Sequence, residues 1–279
     1  AAAQKHGIPQ ALTPEALIAS PDIDMVINLT IPEAHAAVTL AAIATGKHVY
    51  SEKPLGITRA EGEAIQAAAA AKGVRVGCAP DTFLGGGLQT ARKAIDDGLI
   101  GEPVAAVAFM MGHGPEHWHP NPDFFYQPGA GPLFDMGPYY LTTLVSLLGP
   151  AARVTASTRI SFKERPITNP DSRTGERIPV NVSTHCAGLL DFASGAVATL
   201  NFSWDVWGTH LPRIEIYGSE GSLSVPDPNR FDGTVQVQTG RDDAWRSVEC
   251  VHHTDVTRGI GAADMAHAIR SGRDHRASS

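Results

Sequence analysis

An α/β protein in two parts is predicted: an incomplete parallel-sheet domain, then an α+β domain built on a large, open, mostly antiparallel sheet. Three observations carry this. Short apolar runs alternate with helical segments over the first 80 residues, the pattern of βαβ units. Later residues carry one strand pattern after another with little helix between them. Ser194-Gly195 and the run Gly218-Ser219-Glu220-Gly221 join neighbouring strand patterns as turns, which makes those strands antiparallel. The expected boundary separates residues 1–80 from 81–279.

In the first part, Met25-Val26-Ile27-Asn28-Leu29-Thr30 reads as a buried parallel strand. Glu33 to Thr45 is helical in composition, with Gly46 to end it. His48-Val49-Tyr50 and Val74-Arg75-Val76-Gly77-Cys78 are two more strands, separated by an alanine-rich helix. That helix opens on Thr58-Arg59-Ala60-Glu61, the spacing of a capping box, and ends near Gly73. In the second part a helix is expected over 88–97 and a strand over 103–111. A His-, Pro- and aromatic-rich loop covers 112–131, and a single helix spans 132–148. Seven strands are expected beyond it, over 154–160, 183–192, 196–204, 213–217, 222–225, 234–238 and 245–251. Gly85-Gly86-Gly87 is read as freeing a loop.

Composition narrows the function. With 22 Lys+Arg against 29 Asp+Glu, the net charge is −7 and no basic stripe stands out. This argues against a nucleic-acid binder, whose affinity rests on neutralising phosphates. No apolar stretch reaches bilayer-spanning length, so no membrane partner is expected. Three widely spaced cysteines, Cys78, Cys186 and Cys250, do not make a disulfide framework and fit a reducing cytoplasm. The first residues lack both an initiator Met and the layout of a signal peptide.

Chemistry gathers in three segments. The first is Gly46-Lys47-His48-Val49-Tyr50-Ser51-Glu52-Lys53-Pro54-Leu55. A strand there delivers Glu52-Lys53-Pro54 to the carboxyl edge of a parallel sheet, where such folds bind ligands. A lysine in that place donates to a substrate hydroxyl, or moves a proton if burial lowers its pKa. Read in isolation, Lys53-Pro54 fits a surface loop equally well. In the second segment, Gly129 to Tyr140, the spacing puts Asp135 and Tyr139 on one helix face, continued by Thr142 and Ser146. A solvated surface stripe is the alternative reading. In the third, His113 to Asp123, closely spaced histidines accompany Trp118. They are read as pocket lining rather than as metal ligands, since a metal needs several converging donors.

Taken together, Asp22-Ile23-Asp24-Met25-Val26-Ile27, Thr30, His35, Gly46-Lys47-His48-Val49 and Glu52-Lys53-Pro54 resemble the glucose–fructose oxidoreductase/inositol dehydrogenase/rhizopine catabolism (Gfo/Idh/MocA) family in order and spacing. The chain departs from that pattern at Ile31-Pro32, where the family usually has Pro-Asn. The segment from Gly129 is similar to the family's glycine-rich helix start bearing Asp and His, with Tyr139 standing where the His is expected.

The resemblance implies a Rossmann-type first domain and NAD or NADP as cofactor, without metal. It implies hydride transfer to or from a hydroxyl-bearing carbon of a sugar, cyclitol or related polyol, and a homo-oligomer formed through the open sheet. Thr30, His35, Glu52, Lys53 and Pro54 are the cofactor-side residues. Lys53 is the central acid/base, Asp135 orients substrate or the lysine, and Tyr139 relays a proton or positions substrate. His117, Trp118, His119, Tyr140 and His210 are the substrate-pocket residues, with Trp118 suited to an apolar sugar face. Two other functions are weighed: an NAD-dependent glycosidase that oxidises its sugar transiently, and a non-catalytic sugar-binding relative.

No Gly-x-Gly-x-x-Gly follows an early strand, so the phosphate cradle of a dinucleotide domain is missing. The expectation is a chain shortened by about one βαβ unit at its front, and also cut within its last helix, near Arg276. As written, it is expected to bind NAD(P) poorly and to be inactive, its parent being the enzyme.

Overall fold

The computed structural model describes residues 2–241 and 243–279. They divide into two units, the chain through Ala79 together with Gly261–Ser279, and Pro80–Ile260.

In the first unit, short helices α1 (Ala2–Lys5) and α2 (Pro14–Ala19) precede β1 (Met25–Asn28), α3 (Pro32–Ala44), β2 (His48–Ser51), α4 (Arg59–Lys72) and β3 (Val76–Cys78). The strands pair in parallel, in the order β1-β2-β3, as two helical crossovers require. Val26, Val49 and Val76 meet Ile43, Ile65 and Ala69 in a small core. The expected capping box starts α4: Thr58 Oγ1 accepts from Glu61 N–H while Glu61 accepts at Thr58.

Two sequence expectations change at the end of the chain. The last helix, α8 (Ile260–Ser271), belongs almost wholly to this first unit rather than to the second part. Its Met265 is fully buried, with the sulfur close to Gly77 of β3. Nor does the helix run on to Arg276. It stops at Ser271, and the tail lies antiparallel along β3, with Cys78 N–H donating to Ala277 O at 3.1 Å. Buried Asp264 holds that turn by accepting from Arg273 at 2.7 Å and from the Arg276 side chain and backbone at 3.0 and 2.8 Å.

The second unit is an eight-stranded sheet with helices on one face. Its elements are α5 (Gly86–Asp96), β4 (Pro103–Met111), α6 (Gly131–Asp135), α7 (Gly137–Leu148), β5 (Ala151–Arg159), β6 (Glu164–Pro166) and β7 (Arg177–Pro179). They continue with β8 (His185–Phe192), β9 (Val197–Ser203), β10 (Ile214–Gly218), β11 (Gly221–Val225), β12 (Gln236–Thr239) and β13 (Arg246–Ser247). The order is β13-β12-β11-β10-β4-β9-β8-β5, and only the β4–β9 pair at its centre is parallel. Period-two alternation buries Ala106, Ala108 and Met110 of β4 with Ala198, Leu200 and Phe202 of β9 against Leu144, Leu147 and Leu148 of α7. The opposite face, with Val107, Phe109 and Leu189, stays partly open.

The β6–β7 hairpin was not expected from the sequence. Both its strands are three residues long, too short to show a period. The glycines at 85–87 do not free a loop. They start α5, and a Cβ at any of them would come within 2.8 Å of Phe231, His253 or Asp232, so they permit close backbone approach. Among the described residues, no helix is long and apolar enough to cross a membrane.

The Asp264 clasp generates a pH prediction. Burial alone would raise its pKa, but the bonds from Arg273 and Arg276 override it and hold the carboxyl down at about 2. The folded value lies below the unfolded one of about 3.9, so the clasp stabilises fully above that value and is lost as pH falls through about 2. Both arginines are half-exposed, which limits the effect to roughly 1–2 kcal/mol. Urea unfolding between pH 7 and pH 2 should show Asp264→Asn less stable than wild type at neutral pH, with the gap closing in acid. A gap independent of pH would rule the clasp out.

Candidate active site

Unit 1 presents the carboxyl ends of β1 and β2. Asn28, buried at the end of β1, donates to His35 O and Thr39 Oγ1, both at 3.1 Å. Its Oδ1 accepts from the Thr30 hydroxyl at 2.7 Å. His35, on the first turn of α3, is 1% exposed. Its Nδ1 lies 2.6 Å from Pro54 O and its Nε2 2.8 Å from Thr30 O. One ring therefore ties the turn after β1 to the turn after β2. A neutral imidazole has a single N–H and donates to one of these carbonyls at a time. With both ring nitrogens facing backbone carbonyls and the residue buried, His35 braces this edge.

The brace sets Glu52-Lys53-Pro54 in place. Lys53 N–H donates to Glu52 Oε2 at 3.0 Å, and Glu52, Lys53 and Pro54 are all half-buried at the sheet edge while Thr30 is exposed. Lys47 is structural instead. It is buried, and its Nζ donates to Ser20 O and Ile23 O at 2.6 and 2.7 Å. Cys78 sits behind the edge, where burial, then the Glu52 charge, pushes its thiol up to about 12.

A nicotinamide dinucleotide asks two things of such an edge. Its pyrophosphate needs a glycine turn opening a helix. Among the described residues no helix of this sheet offers one, since α3 opens on Ile31-Pro32 and α4 on Thr58. Its ribose and nicotinamide need hydroxyl and carboxylate partners at the strand ends. Thr30, Glu52 and Lys53 supply that chemistry, so the edge fits this end of the cofactor.

In unit 2, the helix expected over 132–148 breaks. α6 ends at Asp135, Met136 lies outside at φ −108°, and α7 begins at Gly137. Pro138, in the first turn of α7, has no N–H to continue the earlier helix. Asp135 and Tyr139 thus sit on successive helices rather than on one face. Tyr139 is buried at 6% exposure, and Arg258 Nη1 donates to its hydroxyl at 3.4 Å. Tyr140 is corrected outright. It is fully buried, its ring packs edge-on against Phe202 at 5.6 Å and its hydroxyl meets Arg213 at 3.4 Å, so it belongs to the core. Burial raises its pKa despite that arginine.

The His-rich loop rests on a buried ion network. Arg165, 3% exposed, donates to Glu116 Oε1 at 2.9 and 2.5 Å, to Asp205 at 3.0 Å and to His113 O at 3.0 Å. The Tyr126 hydroxyl also donates to Glu116. Gly114 makes the approach possible, because at φ +78° a Cβ there would strike Glu116 and Tyr126. Above this base opens a cavity of about 540 Å³, lined by His113, Glu116, His117, Arg165, Thr168 and Trp207. His113 stacks on Trp207, centroids 3.4 Å apart. Burial, then the Arg165 charge, lowers its pKa.

Of the residues assigned to the substrate pocket from sequence, His117 lines this cavity, together with His113 of the same histidine-rich run. His119 joins Trp118, Phe124 and Phe125 in an aromatic cluster with centroids 5.0–5.5 Å from its ring. Trp118 and His210 are exposed. Trp207, Arg165 and Arg258 were missed, since each acts through residues distant in sequence and none stands in a motif. The only local signal was Trp204-Asp205-Val206-Trp207 following a strand.

Comparison with known proteins agrees with this geometry over both units. Residues 1–79 match the oxidoreductase family with an NAD-binding Rossmann fold, and residues 88–224 match the GFO/IDH/MocA C-terminal domain. The chain belongs to the Gfo/Idh/MocA oxidoreductase family. Among its Gfo/Idh/MocA relatives, 1,5-anhydro-D-fructose reductase of Ensifer adhaerens is 30% identical over 79% of this chain. Levoglucosan dehydrogenase of Pseudarthrobacter phenanthrenivorans is 28% identical over 82%. The chain spans 62% of the length of each of these two relatives. In structure it resembles an NAD binding oxidoreductase from Klebsiella pneumoniae with a TM-score of 0.82 at 26% identity, covering 99% of this chain and 79% of that one. Levoglucosan dehydrogenase in complex with NADH and levoglucosan gives 0.81, with the same identity and coverage.

Removing Arg165 should expose how much the loop depends on it. Arg165→Met leaves Glu116 and Asp205 buried without their cation, and a lost partner of this kind costs about 3–5 kcal/mol. Chemical denaturation of the variant measures this directly. A loss under about 1 kcal/mol would mean that the network is solvated and does not carry the loop.

Proposed function

We propose that the whole protein is an NAD(P)-dependent oxidoreductase that moves a hydride to or from a hydroxyl-bearing carbon of a sugar, cyclitol or related polyol. The observation that carries this is Glu52-Lys53-Pro54, half-buried at the carboxyl edge of a parallel strand and braced by His35. Relatives named as acting on anhydrofructose, levoglucosan and scyllo-inositol support the substrate class.

When bound, the nicotinamide supplies the hydride acceptor or donor. Thr30, Glu52, Lys53 and Pro54 hold its ribose and nicotinamide end. A carbinol that loses hydride must also lose its hydroxyl proton, and a ketone that gains hydride must gain one. Lys53 Nζ is the group that takes or gives that proton. Asp135, a carboxylate of the second unit, accepts hydrogen bonds from substrate hydroxyls. Tyr139 offers a phenolic hydroxyl able to exchange a proton. His117, with the stacked His113–Trp207 pair, offers polar and flat surface to a sugar ring.

The partly open face of the eight-stranded sheet, carrying Val107, Phe109 and Leu189, is where we place a homo-oligomer contact, because exposed apolar sheet surface is stabilised by a second copy.

Lys53→Ala in the whole protein should lower the NAD(P)-dependent absorbance change with a responsive polyol by about 10²–10⁴-fold, with cofactor affinity much less affected. Wild-type turnover in that variant would remove Lys53 from the chemistry.

A further inference from the structure

We propose that Arg258 is a positioning residue for Tyr139, holding its hydroxyl and biasing it toward the phenolate, so that a tyrosine can move a proton where the family pattern has an imidazole. This rests on the proposed role of Tyr139.

The contact is built from both sides. Gly259, at φ +103°, turns the chain so that its N–H donates to Asp81 Oδ2 at 2.8 Å. Asp81 is 3% exposed, so the residue after Arg258 is anchored to the interior of unit 2. From that anchor the guanidinium forks. Nη1 donates to Tyr139 Oη at 3.4 Å and Nη2 to Asn229 Oδ1 at 2.5 Å, with Cζ 5.5 Å from the Tyr139 ring centroid. Asn229 is itself set by a turn in which its N–H donates to Asp227 Oδ1 at 3.0 Å.

The same turn serves a second arginine. Asp227 pairs with Arg213 at 3.4 Å, and Arg213 reaches Tyr140 Oη at 3.4 Å. Adjacent tyrosines on α7 therefore each end on a guanidinium, and both guanidiniums are tied to Asp227–Asn229. Tyr140 is a fully buried core residue, whereas Arg258 lies at the surface above Tyr139. Arg213 is exposed as well, so the two pairs differ at the tyrosine: Tyr140 is 0% exposed and Tyr139 6%.

Chemistry favours the assignment. An arginine stays charged across the working pH range. As a donor only, it places positive charge against the phenol oxygen and leaves the tyrosine O–H to point elsewhere. A donated, charge-assisted bond favours the ionised form of its acceptor. An unperturbed phenol titrates near 10 against about 6.5 for imidazole, so a tyrosine in a histidine's place needs such a cation more than a histidine would. Arg258 touches no reacting atom in this assignment. It acts through Tyr139.

The test is an ultraviolet tyrosinate titration of the chain, taken as the difference from Tyr139→Phe, in wild type, Arg258→Met and Arg258→Lys. Arg258→Met keeps the apolar stem at a surface position, and thermal melting confirms that it folds. Its Tyr139 titration should move up by about one pH unit, with Arg258→Lys between it and wild type. In the whole protein, the ascending limb of kcat/KM for polyol oxidation should move up with it, costing about 10-fold in rate near neutral pH, and the shift should vanish in a Tyr139→Phe background. An unmoved titration in a folded Arg258→Met variant overturns the proposal while leaving the Tyr139 reading in place. A Tyr139→Phe enzyme with wild-type rate and pH profile overturns the Tyr139 reading, and the proposal with it.

Discussion

The His35 ring lies within hydrogen-bonding distance of the Thr30 carbonyl on one side and the Pro54 carbonyl on the other, and every functional residue assigned to the first unit sits on one of those two turns. Parallel strands end in loops whose backbone groups have no ladder partner. Without a side chain to join them, the turn after β1 and the turn after β2 would move independently. Asn28 completes the tie by fixing the His35 carbonyl and the Thr30 hydroxyl. Glu52 and Lys53 therefore leave the sheet in one orientation, as a group that must meet a reacting hydroxyl requires.

The second unit solves the same problem with arginines. Arg165 gathers Glu116, Asp205 and two backbone carbonyls under the His-rich loop, and Arg213 and Arg258 each reach a tyrosine hydroxyl of α7. A planar cation with several donors crosses from one element to another without leaving buried acceptors unpaired. Loops that carry functional groups are held here by charge-assisted bonds rather than by regular secondary structure. They are correspondingly sensitive to loss of a single side chain.

Much of this was legible in the sequence because it is local. β1, β2 and β3 follow from short apolar runs, and the α4 start from Thr58 and Glu61 three residues apart in one motif. The carboxyl-edge placement of Lys53 follows from strand direction alone. What was hidden is either non-periodic or non-local. The break at Met136 turns on whether Pro138 ends one helix or starts another, and both fit the same letters. Tyr140 reads as polar beside Tyr139, yet one step around α7 buries it completely against Phe202. Nothing near His35 in the sequence reveals that its two nitrogens will face the carbonyls of Pro54 and Thr30. Arg165 and Arg258 meet partners 49 and 119 positions away, a distance at which pattern reading has no signal.

In the proposed reaction, hydride leaves or enters a carbinol carbon while residues of this chain handle the hydroxyl proton. Its most direct test gives the whole protein NAD(P)⁺ and a responsive polyol deuterated at its carbinol carbons, and weighs the cofactor afterwards. Deuterium is expected in the reduced cofactor, one atom per turnover, with a slowed rate relative to unlabelled polyol. Conversion of the carbohydrate with all label retained in it, and no net reduction of the cofactor, would rule that reaction out.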